Sequence, residues 1–105
     1  MQTIENKITS VNKPAGEGKM AYSDLIKLCT DRLPKEHAQT GWTAVLQKES
    51  FRAENAVKNA EPGKEFEVED NDALLIKKFC VGYGWPIKHQ DLIDFDEYIK
   101  NLKAQ

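Results

Sequence analysis

Four stretches of the chain repeat apolar residues at the spacing of an α-helix, and breaker residues divide them from one another. The spacing predicts helices over about 23–33, 42–60 and 89–102, and a further helix that begins at the cap 70–72. A proline, a Pro-Gly pair or two glycines follow the first three helices and end them. Each helix has one apolar face, and such faces must pack on each other. The sequence therefore predicts a mainly α fold, a compact bundle of about four helices.

The segment 64–69 follows a different pattern. Phe66 and Val68 alternate with charged residues, which is typical of a short, half-exposed strand. Such a strand is too short to be stable alone, so it needs a partner strand. The N-terminal segment 3–11 is one candidate, and the edge of a partner protein is another. The fold-class prediction is therefore four helices with one short β-strand or hairpin.

The N-terminal segment has the weakest pattern. Residues 1–11 alternate loosely between apolar and polar side chains, so they could form a short strand or a flexible arm. Residues 12–19 are rich in Gly, Pro and Lys, which is the composition of a linker. We therefore predict an N-terminal arm and linker over 1–19, followed by a single helical domain over 20–105.

The charge balance limits the classes of partner. The chain has 15 basic and 17 acidic residues and a net charge of −2. Proteins that bind nucleic acids through many phosphates usually carry a basic excess, so no direct nucleic-acid partner is expected. No apolar run approaches the ~20 residues of a membrane span, and the first residues lack the pattern of a signal peptide. We therefore expect a cytoplasmic protein without membrane contact.

Two short motifs suggest ligand sites but do not meet their requirements. The run 16–19, Gly-Glu-Gly-Lys, would need a glycine at Lys13 and a Ser or Thr at Met20 to form a phosphate loop. The run 69–72 is acidic, but a calcium loop starting at Asp70 would need a ligand and a glycine where two leucines stand. A linker and a helix cap explain these runs better, so no cofactor or metal is predicted.

Histidines and cysteines give no catalytic pattern. His37 and His89 lie far apart and form no metal-binding spacing. Cys29 and Cys80 both lie within apolar helical patterns, which predicts two reduced, buried thiols, although a disulfide remains open. No catalytic residue is predicted, and the chain is not expected to be an enzyme.

Aromatic and acidic residues provide the candidate contacts with a partner. Most aromatics are expected in the core, but Tyr83 and Trp85 lie on a glycine-rich turn and could be exposed. Acidic residues concentrate in 61–72 and 91–97. They would form one acidic face if the last helix packs beside the strand, and that face is either solvated or a mimic of nucleic-acid phosphates. The candidate partner-binding residues are Phe66, Glu67, Val68, Glu69, Asp70, Tyr83, Trp85, Asp94, Asp96 and Glu97.

Five short segments between residues 20 and 100 carry a resemblance to other proteins. The segments are Ala21-Tyr22-Ser23-Asp24-Leu25-Ile26, Thr40-Gly41-Trp42, Phe66-Glu67-Val68-Glu69-Asp70 with Leu74-Leu75, Gly84-Trp85-Pro86-Ile87, and Asp91-Leu92-Ile93-Asp94-Phe95. In this order of features the chain resembles a loose group of small phage and prophage proteins. It departs from them by the arm 1–19 and by a second helix with less Arg, Met and Leu. The group has no assigned activity, so the resemblance carries over no functional residue.

The resemblance implies a phage-encoded accessory protein in the host cytoplasm or in the virion. A non-enzymatic assembly or regulatory adaptor is the first hypothesis, with a protein partner that is another copy, a phage protein or a host protein. An acidic inhibitor of a host nucleic-acid-binding enzyme or defence system is the alternative, and a small enzyme is the third. The sequence leaves the partner and the oligomeric state open.

Overall fold

The computed structural model describes residues 1–14 and 16–102, which form four α-helices and four short strands. The elements in chain order are β1 (Gln2–Ile4), β2 (Ile8–Asn12), β3 (Lys19–Ala21), α1 (Tyr22–Thr30), a 3₁₀ turn (Lys35–His37), α2 (Ala44–Ala56), β4 (Phe66–Val68), α3 (Asp70–Cys80) and α4 (Gln90–Lys100).

The predicted fold class, a mainly α bundle with one short strand or hairpin, is wrong. The protein is a compact α+β domain with two separate two-stranded antiparallel sheets beside its helices. β1 pairs with β4, where Thr3 lies opposite Glu67. β2 pairs with β3, where Ile8 lies opposite Ala21, and the register shifts between this pair and the next.

The error lies in the N-terminal segment, which supplies three of the four strands in the described residues. Ile4 and Val11 are buried, so this segment contributes to the core. The described residues of the Gly- and Pro-rich run that resembles a linker belong to the ends of β2 and β3 and to the turn that joins these strands. It is closed by the N–H of Lys13, which donates to the carbonyl of Gly18 at 3.0 Å. Gly16 and Gly18 have φ angles of 78° and 90°, which glycine adopts without strain.

The predicted strand 64–69 is present but shorter, over Phe66–Val68. Of its two candidate partners, the N-terminal segment is the one observed, because β1 pairs along β4 within the same chain. Val68 is buried, while Glu67 points to solvent, as the alternation of residue types predicts.

The four predicted helices form, with different ends. Ser23, where the first helix is predicted to begin, is its second residue, and Ala21 occupies the cap position. The carboxylate of Asp24 accepts the N–H of Ala21 at 2.9 Å. The side chain of Asn6 accepts the N–H of Ser23 at 2.8 Å. Side chains before and after the cap position therefore bond two of the free N–H groups of this helix end.

The core forms where α1 packs against α2 and α3, and α4 packs against α3 and β2. Its fully buried apolar side chains include Ile4, Leu25, Ile26, Leu46, Val57, Ile76, Phe95 and Ile99. Cys29 and Cys80 are buried and free, which confirms the predicted reduced thiols. Burial, followed by a hydrogen bond with the thiol of Cys29, raises the pKa of Cys80 well above its ordinary value.

Candidate functional site

The turn between α3 and α4 carries the two aromatic residues that the sequence singles out. The rings of Tyr83 and Trp85 meet edge to face, with centroids 4.4 Å apart. The Trp85 ring also meets the ring of Phe95, a fully buried residue of α4, at 6.3 Å. Tyr83 and Trp85 are each half-buried. Their inner sides rest on the core, so the sides left at the surface are held in a fixed position.

Polar contacts fix this turn from two directions. The guanidinium of Arg32 lies 5.3 Å from the centroid of the Tyr83 ring, and its Nη1 donates to the carbonyl of Gly84 at 3.2 Å. From α4, a carboxylate oxygen of Asp96 accepts the N–H of Gly82 at 2.9 Å. Gly82 follows α3 with a φ angle of 77°, a conformation that favours glycine. These contacts anchor the turn to α4 and to the segment that follows α1.

A shallow groove of about 430 Å³ lies between this turn and α4, and we call it the corner groove. The side chains that define it are Tyr83, Trp85, Ile87, Leu92, Ile93 and Asp96. Ile87 and Ile93 are 53% and 54% exposed, so the groove has an uncovered apolar lining. Lys88 and His89 line it as well. Of the predicted partner-binding residues, the structure brings Tyr83, Trp85 and Asp96 together here.

The acidic residues of α4 have different roles. A carboxylate oxygen of Asp91 accepts the N–H of Ser10 at 2.7 Å, which ties α4 to β2. Asp94 accepts from the side-chain amide of Gln90 at 3.0 Å, and Glu97 is exposed. Burial, then the negative charges of Asp94 and Asp91, raise the pKa of Tyr22 above its ordinary value. α4 therefore creates a negative potential, although Asp91 and Asp96 also hold backbone groups.

The second predicted acidic cluster is held by other elements. Glu67, Glu69 and Asp70 are exposed on β4 and at the start of α3, beside half-buried Phe66. The N-terminal ammonium lies 3.5 Å from a carboxylate oxygen of Asp70. A single acidic face would require α4 to pack beside β4. Instead, β4 pairs with β1, and α4 packs mainly on α3 and β2, so different elements position the two acidic clusters.

Sequence reasoning missed a second surface, between α2 and α3. A groove of about 530 Å³ runs there, and Val45 on its rim is 68% exposed. We call this region the α2–α3 surface, defined by Val45, Lys48, Arg52, Leu74 and Lys78. Lys78 forms an ion pair with Glu49 at 2.9 Å, and Arg52 forms one with Asp72.

One signal in the sequence points to exposed apolar side chains on α2, although on a flank other than this surface. Phe51 does not follow the apolar spacing of the second predicted helix, and the structure leaves it exposed beside Trp42 and Gln47. Trp42, the first residue of the predicted helix, precedes the observed helix and stacks on Phe79 with ring centroids 6.2 Å apart, so it is only partly covered. Helix α2 therefore buries a narrower face than its apolar residues suggest, and its flanks are the place to look for exposed apolar groups.

Candidate ligand groups are dispersed. Nδ1 of His89 accepts the N–H of Asp91 at 3.1 Å, so this histidine caps α4. His37 lies in the 3₁₀ turn. Within residues 1–14 and 16–102, no three His, Cys, Asp or Glu side chains come together in a way that could hold a metal ion. In the same part of the chain, no helix has the length and apolar character needed to cross a membrane.

Comparisons with protein-family models, with curated proteins and with solved structures find no match to this chain. Its function must therefore be argued from the geometry of its surfaces.

Proposed function

We propose that the chain is a non-enzymatic, protein-binding accessory protein, phage-encoded, that acts as an assembly or regulatory adaptor in the host cytoplasm or the virion. The corner groove is its binding site. The observation that carries this proposal is the pair Ile87 and Ile93, each more than half exposed, beside a Trp85 ring that rests on Phe95.

This arrangement suits a binding site for an energetic reason. Ordering flexible side chains on binding opposes association, at an entropic cost of about 0.5–1.5 kcal/mol for each side chain. Trp85 and Tyr83 are already held by the core, by each other and by Arg32. A partner that covers the groove therefore gains apolar contact with little further ordering, which is the usual property of aromatic hot spots.

The charges around the groove select the chemistry of the partner. Of the residues that line the groove, Asp96 is acidic, while Lys88 and His89 carry basic side chains. Asp94 and Glu97 lie on the same helix, outside this lining. An apolar floor with charges of both signs at its rim favours a partner segment with exposed apolar side chains and charged residues beside them. Because the rim is exposed, its attraction should weaken as salt screens charges beyond ~8 Å.

The proposal is tested by placing a photo-crosslinking amino acid at Ile93 in cells that naturally produce the chain. Exposed Lys58, which follows α2, is the matched control position. We expect a discrete protein adduct from position 93 only, which excess wild-type protein competes away and an Ile87→Asp variant does not. Equal adducts at both positions, or competition by both proteins, would contradict a site in the groove.

An acidic inhibitor that mimics nucleic-acid phosphates is the second candidate, and the negative potential of α4 favours it. A mimic depends on charge, so Asp94→Asn with Glu97→Gln should abolish target binding while Ile87→Ser with Ile93→Ser should not. The adaptor predicts the reverse order of effects. Asp96 is left intact in this comparison because it holds the N–H of Gly82.

A further inference from the structure

A further cavity lies between the end of α1 and a flank of α2 that is separate from the α2–α3 surface. Its volume is about 400 Å³, and we call it the α1–α2 pocket. Gln47, Phe51 and Glu54 lie on one stripe of α2, because residues four and seven positions apart share a helix face. The residues that define the pocket are Asp31, Trp42, Gln47, Ser50, Phe51 and Glu54.

The walls of the pocket are held in place by contacts within the chain. The hydroxyl of Ser50 donates to the carbonyl of Thr30 at 2.7 Å, which fixes α2 against the end of α1. Nε2 of Gln47 donates to the carbonyl of Trp42 at 3.0 Å. The ring of buried Phe79 stacks on the Trp42 ring. The pocket is therefore largely formed before a ligand arrives.

Two aromatic side chains line this pocket without being covered. Trp42 is 37% exposed and Phe51 is 62% exposed. The face of an aromatic ring carries partial negative charge and attracts a cation placed over it, most strongly for Trp. The aromatic lining therefore favours a ligand that is cationic and can lie against a ring.

The charged groups of the lining are negative. Asp31 and Glu54 line the pocket, and none of its described lining residues is Lys, Arg or His. In the described part of the chain, neither carboxylate forms an ion pair or a hydrogen bond. Asp31 is also the C-cap of α1, where the helix dipole adds negative charge. Its neighbour Arg32 directs its guanidinium to Gly84 and Tyr83 instead. The pocket therefore offers two carboxylates to a cation from another molecule.

We infer that the α1–α2 pocket binds the guanidinium group of an arginine side chain on a partner protein. The two carboxylates accept hydrogen bonds, so the ligand must donate them, which a quaternary ammonium group cannot do. A lysine ammonium donates, but it is compact and strongly hydrated. A guanidinium group is planar, stacks on aromatic rings and presents five donors at its edge.

The position of the pocket suits an arginine within a polypeptide. Because the pocket is open to solvent, the main chain that carries the arginine can pass across its mouth. The pocket shares no residue with the corner groove, so arginine binding here is independent of the function proposed for that groove.

The first test compares three cationic side chains on one peptide. Protein labelled with ¹⁵N is titrated with an acetylated and amidated Gly-Arg-Gly peptide, with the same peptide carrying Lys, and with one carrying trimethyllysine. The peptides have equal charge, so they separate guanidinium recognition from simple attraction. We expect the NMR signals of the Trp42 indole N–H and of the Phe51 and Glu54 amides to shift. The arginine peptide should bind at least about twofold more tightly than the others because it adds hydrogen bonds to the carboxylates. Equal affinities, or shifts that lie outside the pocket, would overturn the inference.

Two variants then connect binding to the named side chains. Asp31→Asn with Glu54→Gln removes both charges and keeps the shape, and it should weaken binding of the arginine peptide by up to about fivefold for each charge. Phe51→Leu keeps an apolar side chain without the ring and should weaken it by about two- to fivefold. The control Glu67→Gln with Glu69→Gln removes two exposed charges outside the pocket and should bind like wild type. Equal weakening by the control would show attraction by net charge alone and contradict a site in the pocket.

Free arginine distinguishes the source of the guanidinium group. The peptide should bind at least as tightly as free arginine if the pocket receives a side chain of a partner protein. Tighter binding of free arginine would make the amino acid the ligand and exclude the protein partner. The comparison among peptides uses wild-type protein alone, so it decides the choice of guanidinium even if a variant fails to fold.

Discussion

Asn6 lies outside helix α1, and its side chain accepts a hydrogen bond from the N–H of Ser23 in the first turn of that helix. Its Oδ1 accepts that N–H at 2.8 Å, while its Nδ2 donates to the carbonyl of Glu61 at 2.9 Å. Asn6 is only 2% exposed. One buried amide therefore joins the connection between β1 and β2, the start of α1 and the loop before β4.

Replacing this amide should destabilise the fold. Asn6→Ala leaves the buried N–H of Ser23 without a partner, which costs about 1–3 kcal/mol. It also removes the donor to the part-buried carbonyl of Glu61. Asn6→Asp keeps an acceptor for Ser23 but buries a carboxylate against the carbonyl oxygen of Glu61, so it should also destabilise the fold. Urea unfolding followed by circular dichroism measures both, with exposed Asn59→Ala as the control. If Asn6→Ala and Asn59→Ala unfold at the same midpoint, Asn6 has no such role.

The strand β1 offers a second measure of how the N-terminal segment contributes to stability. Ile4 is fully buried, whereas Thr3 on the same strand is exposed. Ile4→Ala should lower the free energy of unfolding by about 2–5 kcal/mol because it leaves a cavity in the core. Thr3→Ala, the matched control, should change it by less than about 0.5 kcal/mol. A flexible arm would give two equally small effects in the same urea titration.

The helices were predictable because their signals are local. Apolar spacing and breaker residues lie within each helix, and they gave four helices with ends wrong by a few residues. The sheets depend on contacts between distant residues, such as Thr3 beside Glu67, which no local pattern encodes. The start of α1 shows the same limit, since the amide that bonds Ser23 comes from Asn6.

The candidate site was predictable in part for related reasons. Tyr83 and Trp85 stood out because they lie on a glycine-rich turn, and the structure places both in the corner groove with Asp96. The exposure of Val45 was not predicted, because helical periodicity places this residue beside the buried face of α2. Periodicity does not show how far the neighbouring helix α3 covers that face. Which flank of a helix is exposed depends on the packing of α3.

The thiols give a prediction about reactivity. Burial and the hydrogen bond with Cys29 raise the pKa of Cys80, and the thiolate is the reactive form. Native protein should therefore react with iodoacetamide only as fast as it opens, and unfolding in urea should restore the reaction. Mass spectrometry of timed samples measures the rate, with the introduced thiol of an exposed Asn59→Cys variant as the internal control. Comparable rates for Cys80 and that thiol in the native state would refute the prediction.

Acid should weaken the tie between α4 and β2. The hydrogen bond from the Ser10 N–H, with a further contribution from His89, lowers the pKa of Asp91 below its ordinary value of 3.8. A carboxyl group whose pKa is lower in the folded state stabilises the fold above its unfolded pKa and loses this effect as pH falls through the folded value. The free energy of unfolding of wild type should therefore exceed that of Asp91→Asn near neutral pH, and this difference should close as pH falls below 3.8.

Urea unfolding across this pH range measures the difference in unfolding free energy, and NMR titration of the Asp91 carboxyl carbon gives the titration midpoint of that group directly. A gap that is constant with pH, or a midpoint at or above 3.8, would show that the Ser10 contact does not stabilise the charged carboxylate.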